Sequence, residues 1–177
     1  VLTQPKSITR LSSTTISGAI PQAVSIGEEV EYHLVTSLPV ALLRNFVIRD
    51  ELPAGIRCTE APAINLSAAP YSAAGFVPGG VITPTCTNNL VEWNFGDQRV
   101  TQGTINNRYD LAIRFIARVE NSAGNNNGGV IRNGGASTSV TARYVDQSSN
   151  PVTLTFGEFA IVVREPTIAL TKAFSVA

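Results

Sequence analysis

The sequence has 177 residues, with thirteen basic and thirteen acidic side chains that cancel and form no blocks of one sign. That balance removes the electrostatic basis for binding nucleic acid or an anionic membrane, because phosphate recognition needs concentrated Lys and Arg. No apolar run approaches the roughly 20 residues a membrane-spanning helix requires, so no membrane insertion is expected. One generous domain or two small ones fit this length. Charged residues are few, at 15%, and lysine occurs only as Lys6 and Lys172. There is no methionine, so the chain reads as a mature product or an excised piece.

Period-two alternation dominates, and helical spacing is nearly missing. A weak first strand is predicted near Ile8 to Ile16. In "EEVEYHLV", Val30, Tyr32 and Leu34 share one face and Glu29, Glu31 and His33 the other. "NFVIRDELPAG" sets Phe46 and Ile48 on one face before Pro53 and Gly55 stop the strand. Between Thr59 and Pro84 the rhythm breaks in a stretch rich in Pro, Ala and Gly. It is expected to be a tolerated excursion with at most a short edge strand at its end. Alternation resumes in "VEWNFGD", with Val91, Trp93 and Phe95 together. The longest run, "YDLAIRFIARVEN", puts Tyr109, Leu111, Ile113, Phe115, Ala117 and Val119 on one side. Two last strands are predicted in "ASTSVTARYV" and "VTLTFGEFAIVV", with Gly157 a bulge in the second.

Turn chemistry separates these runs, as at Gly96-Asp97, "NSAGNNNGG" and "DQSSNP". The sum is an all-β, immunoglobulin-like β-sandwich of about seven strands with one long loop excursion. Its predicted core is Val30, Tyr32, Leu34, Phe46, Ile48, Trp93, Phe95, Leu111, Ile113 and Phe115. An internal echo marks its limit: "ITRLSS" from Ile8 and "LTKAFS" from Leu170 share the order apolar, Thr, basic, apolar, variable, Ser. Residues 1–164 are therefore expected to form the sandwich. Residues 165–177 are expected to begin a following repeat or to be a strand donated to a neighbouring subunit.

The segments "SIGEEVEYHLVTSLP", "NFVIRDELPAGIRC", "LVEWNFGDQRV", "NGGASTSV" and "EPTIALTKAFS" occur in an order that resembles DUF11-type repeats. The resemblance covers nearly the whole chain apart from the excursion. It implies tandem immunoglobulin-like modules of bacterial and archaeal surface proteins, stalks, adhesins and filaments, without catalysis. Related modules can carry a Lys–Asn isopeptide bond. Arg10 stands at the lysine position, and a guanidinium stays protonated and cannot attack. Asn133 matches the asparagine but finds no suitable lysine within the repeat. No intradomain bond is expected, and Lys172 leaves only an interdomain one open.

Cys58 and Cys86 are the two cysteines and flank the excursion. In a secreted chain they read first as a disulfide, the other reading being two buried thiols. A zinc site would need more ligands than these and the lone His33. His33 lacks a nucleophile motif beside it. Glu28, Glu29 and Glu31 suggest a solvated face before a carboxylate pair for glycoside hydrolysis. Trp93 could stack on a sugar, but its apolar face predicts a core position. Asp50, Asp97, Asp110 and Asp146 lie at strand ends, where calcium could be held, yet no DxDxDG loop is present and no cofactor is expected. Asn65-Leu66-Ser67 is an N-glycosylation sequon.

The expectation is a non-enzymatic structural module of an extracellular stalk, adhesin or filament. Its partners would be homotypic neighbours held head to tail. The competing reading is an adhesion module that recognises a glycan or protein through its loops, with Tyr71 and Phe76 as candidate contacts. Past Val163 the pattern stays β, with Thr167, Ile168, Leu170, Lys172 and Phe174 forming the expected inter-module strand. A soluble monomer should not leave such a strand bare.

Overall fold

The longest alternating segments of the sequence pair with one another. A computed structural model describes residues 3–4, 6–10, 22–103, 106–135 and 140–165. In chain order its strands begin with β1 (Thr3–Gln4), β2 (Lys6–Arg10), β3 (Gln22–Ser25), β4 (Glu29–Pro39) and β5 (Leu42–Glu51). Next come β6 (Ile56–Glu60), β7 (Ile64–Asn65), β8 (Val81–Ile82), β9 (Thr85–Thr87) and β10 (Leu90–Arg99). The last are β11 (Arg108–Val119), β12 (Val130–Asn133), β13 (Val140–Val145), β14 (Pro151–Phe156) and β15 (Phe159–Arg164). One 3-10 helix, Tyr71–Ala74, interrupts this all-β order.

The strands form a six-stranded sheet in the order β1-β14-β13-β5-β10-β9 and a four-stranded sheet in the order β2-β4-β11-β6. A three-stranded sheet, β12-β15-β3, and the two-stranded β7-β8 complete the set. The first two sheets pack face to face. β4 buries every second residue from Val30 to Leu38, and β11 does the same from Tyr109 to Val119. Across the layers Trp93 of β10 meets Phe115 of β11, with ring centroids 6.1 Å apart. Within the layers Tyr32 stacks on Phe115 at 4.9 Å and Phe46 on Phe95 at 4.5 Å. All ten expected core residues are buried.

Three features depart from the sequence reading. The excursion is not a loose loop, since it carries β7, β8 and the 3-10 helix and buries Ile64, Leu66, Ala74 and Phe76. Gly157 is not a bulge within one strand. β14 ends at Phe156 in the six-stranded sheet, and β15 resumes after Glu158 in the three-stranded one. The physical reason is a close crossing. A Cβ on Gly134, whose φ is +87°, would come within 2.4 Å of the Gly157 carbonyl oxygen, so only glycine fits there. The first strand is observed as Lys6–Arg10, and the rest of the expected Ile8 to Ile16 strand lies outside the described residues.

The direction of the chain is set by register. β2 runs antiparallel to β4. β3 turns back into β4 through residues 26–28, and β15 runs parallel to β3. The strands β2 and β15 therefore point the same way. Arg164 closes β15 by accepting a hydrogen bond from the Ile26 N–H at 3.4 Å.

Candidate functional site

Cys58 lies on β6, the edge of the four-stranded sheet, and Cys86 on β9, the edge of the six-stranded one. Their disulfide, with Cα atoms 5.6 Å apart, thus joins the two layers along one open side. It closes a 28-residue separation, a constraint of about 3–4 kcal/mol on the unfolded chain. Backbone bonds reinforce this side, from Cys58 N–H to Asn88 O at 2.9 Å and from Leu52 N–H to Asn89 O at 2.6 Å.

The excursion that this bond encloses is fastened to both layers. Trp93 Nε1–H donates to Pro62 O at 3.5 Å, and Thr101 N–H to Ala74 O at 3.0 Å. Tyr71 donates its hydroxyl to Ala112 O at 3.1 Å, and Tyr109 donates to Pro70 O at 3.0 Å. Phe76 meets Tyr109 edge-on at 6.0 Å. Burial raises both phenols above their ordinary pKa, an effect that the nearby Arg114 guanidinium opposes at Tyr71. The aromatics that could have served a ligand are turned against the protein itself.

A second cluster ties three sheets together. Asn133, at the end of β12, donates Nδ2–H to Asp50 Oδ1 on β5 at 3.0 Å. Its amide also shares a hydrogen bond with the Tyr32 hydroxyl on β4. All three residues are buried. Burial holds the Tyr32 phenol far above its ordinary pKa, with the Asp50 charge pushing the same way and the Asn133 bond opposing. Asn133 is thus engaged as a hydrogen-bonding partner. Lys172 and the inter-module residues Thr167, Ile168, Leu170 and Phe174 lie outside the described residues.

The end at which β15 leaves the sandwich is firmly built. In "DELPAGI", Leu52 is buried, Ile56 N–H donates to Pro53 O, and Gly55 turns with φ +88°. A Cβ on Gly55 would meet Asn125 Oδ1 at 2.2 Å. Asn125 is buried and donates Nδ2–H to both Gly55 O at 2.8 Å and Glu120 O at 2.7 Å. Sequence reasoning missed this residue, because nothing in "NSAGNNNGG" sets Asn125 apart from Asn126 or Asn127.

The remaining sequence candidates do not converge. Glu29 pairs with Arg118 at 2.8 Å and Glu31 with Arg114 at 3.2 Å, on the face of the β4–β11 ladder away from the core. Glu28 accepts the Ser25 N–H at 2.6 Å and so caps its own turn. His33 lies beside Glu31 at 3.3 Å, part-exposed. Asp97 accepts the Asn45 N–H at 2.9 Å, and Asp146 accepts the Ser148 and Asn150 N–H groups at 2.9 Å each. Asp110 is exposed on β11. Among the described residues no three His, Cys, Asp or Glu side chains are grouped to hold a metal.

No protein-family model matches the sequence, and no curated protein is significantly similar to it. Solved structures nevertheless share its fold. The major pilin subunit of Bacillus cereus superposes over 89% of this chain and 40% of that one, with a TM-score of 0.53 and 9% identity. A two-domain fragment of the major pilin of Corynebacterium diphtheriae gives a TM-score of 0.54 at 10% identity, over 89% of this chain and 51% of that one. The likeness is one of fold, an all-β architecture that resembles an immunoglobulin-like domain. A C-terminal fragment of the major pilin of Streptococcus agalactiae agrees, with a TM-score of 0.51 and 14% identity over 92% of this chain and 55% of that one. This chain spans 40%, 51% and 55% of the lengths of these three structures.

Proposed function

We propose that this chain is a non-enzymatic structural module of an extracellular stalk, adhesin or filament, acting by rigidity and head-to-tail contact with neighbouring copies. The observation that carries the reading is the common direction of β2 and β15, with Arg164 leaving beside the turn at residues 26–28. A chain threaded in one sense lets successive modules follow one another without reversal. A disulfide between the two layers fits an oxidising, extracellular setting, and the pilin-type fold is in keeping with it. The order of "DELPAGI", "VEWNFGD" and "NGGASTSV" supports the narrower assignment to DUF11-type tandem repeats.

In this reading residues 1–164 form the module. Residues 165–177 supply a strand to the next one through Thr167, Ile168, Leu170, Lys172 and Phe174. Strand addition gives main-chain hydrogen bonds for affinity and alternating side-chain pockets for specificity. A head-to-tail contact need not close, so it can propagate. Recognition of a glycan or protein through the loops is less well supported, because Phe76 is buried and Tyr71 is bonded to Ala112 O. Deleting residues 166–177 should leave the circular dichroism spectrum and the denaturation midpoint nearly unchanged while abolishing fibres or end-to-end oligomers in electron micrographs. Normal assembly of the truncated chain would refute strand donation.

A further inference from the structure

The hairpin β7-β8 on the excursion bears a feature that a rigid spacer does not need. Asn65-Leu66-Ser67 is the only Asn-Xaa-Ser/Thr triplet in the sequence, and Asn65 is exposed. Its Oδ1 accepts the Ser67 N–H at 3.0 Å, which fixes the amide in an Asx turn. No described residue hydrogen-bonds its Nδ2. The backbone beneath is anchored, since Ile64 and Leu66 are buried and Leu66 N–H donates to Gly80 O at 2.7 Å. The nitrogen that would receive a sugar is therefore presented outward from an ordered hairpin.

The surroundings supply a second, independent observation. Val81 is the register partner of Asn65, so the two side chains stand on the same face with Cβ atoms about 5 Å apart. Val81 is 63% exposed and Val77, on the same segment, 54%. These are the two most exposed large hydrophobic residues among those described. Apolar side chains left this exposed are candidates for cover by another group. The C–H face of a hexose at Asn65 would lie over Val81.

We propose that Asn65 carries an N-linked glycan that shields the Val77–Val81 flank of the module. The sugar comes from an activated donor of the producing cell, a lipid-linked glycosyl phosphate. The bond from Nδ2 to the anomeric carbon forms, and the bond from that carbon to the phosphate oxygen breaks. The phosphorylated lipid departs, and the amide proton passes to the transferase's base. Glycosylation is read as a mass on one peptide and strand donation as assembly, so the failure of one is distinguishable from the failure of the other.

Peptide mass spectrometry of the protein from its producing cell tests this directly. The peptide containing Asn65 should carry a saccharide mass as its main form. N65Q and S67A should each lose that mass in the same cell, and S67T should keep it. An unmodified Asn65 peptide as the main native form overturns the proposal, and so does a saccharide that persists in S67A. Because each variant is read as a mass on a peptide, a variant that folds poorly still gives a decisive answer.

Discussion

The β4–β11 ladder and the excursion between β6 and β9 bury side chains by opposite means. In the ladder eleven consecutive register pairs, from Arg108↔Pro39 to Arg118↔Glu29, satisfy the backbone. Burial then follows the pleat, with every second side chain inward. The excursion has only the two register pairs of β7 and β8 and the single bridge Val77↔Arg99. It holds its place by separate anchors: Ile64, Leu66, Ala74 and Phe76 inward, two tyrosine hydroxyls, the Trp93 indole and the disulfide at its base. Alternation thus reports burial only where neighbouring strands supply the hydrogen bonds. A segment can be equally well packed without any period at all.

The largest test removes a residue of β10 that touches both regions, Phe115 of the ladder and Pro62 of the excursion. Trp93→Ala should lower the unfolding free energy by about 3–5 kcal/mol, read from chemical denaturation, because Trp93 fills the interlayer core and also holds Pro62. An unchanged midpoint would show that neither region depends on it. Replacing Cys58 and Cys86 together by serine should cost about 3 kcal/mol and make residues 59–84 the first site of limited proteolysis. Alkylation of the unreduced wild-type protein should label neither cysteine. Two labelled thiols in the mass spectrum would count against the staple.

Smaller changes sharpen the contrast. Tyr71→Phe deletes one anchor of the excursion and leaves the ladder alone. It should cost about 1 kcal/mol, with faster amide exchange at Ala73 and Gly75 and unchanged exchange in β4 and β11. Equal acceleration in both regions would contradict separate anchoring. The smallest effect is expected at the Asp146 turn, a third kind of local order. The Asn150 N–H above all, then the Asn150 side chain and the Ser148 N–H, hold the Asp146 carboxyl below its usual value of 3.8. A depressed carboxyl stabilises the fold above the unfolded pKa, so its contribution is full above about pH 4–5. It fades as the pH falls through the lowered folded value. Protection of the Ser148 and Asn150 amides should decline below pH 3.8 and stay flat from pH 5 to 8.

What was legible in the sequence follows from the same contrast. The core residues from Val30 to Phe115 could be read because each sits in a strand paired on at least one side, where period two is a direct image of burial. The "DELPAGI" turn could be read because Gly55 must take a positive φ. Phe76 and Tyr71 could not, since their burial depends on β10 and β11 approaching from a distance in sequence. Nor could the sheet switch at Gly157, where "VTLTFGEFAIVV" keeps its alternation while the chain passes from one sheet to another. Asn125 was hidden among identical neighbours. The Asp50–Asn133–Tyr32 cluster joins residues from three separate motifs, and no local pattern announces such a meeting.

The shared direction of β2 and β15 has a mechanical consequence. Tension applied through Lys6 and Arg164 pulls both strands along their own axes, against β4 in one case and against β3 and β12 in the other. The five register pairs from Lys6↔Leu34 to Arg10↔Val30 are then strained in shear, all at once, and cannot open one at a time like a zip. Should the strands between them begin to slip, the Cys58–Cys86 bond keeps the residues it encloses from paying out as slack. A fibre of such modules would stretch little until a whole strand gives way.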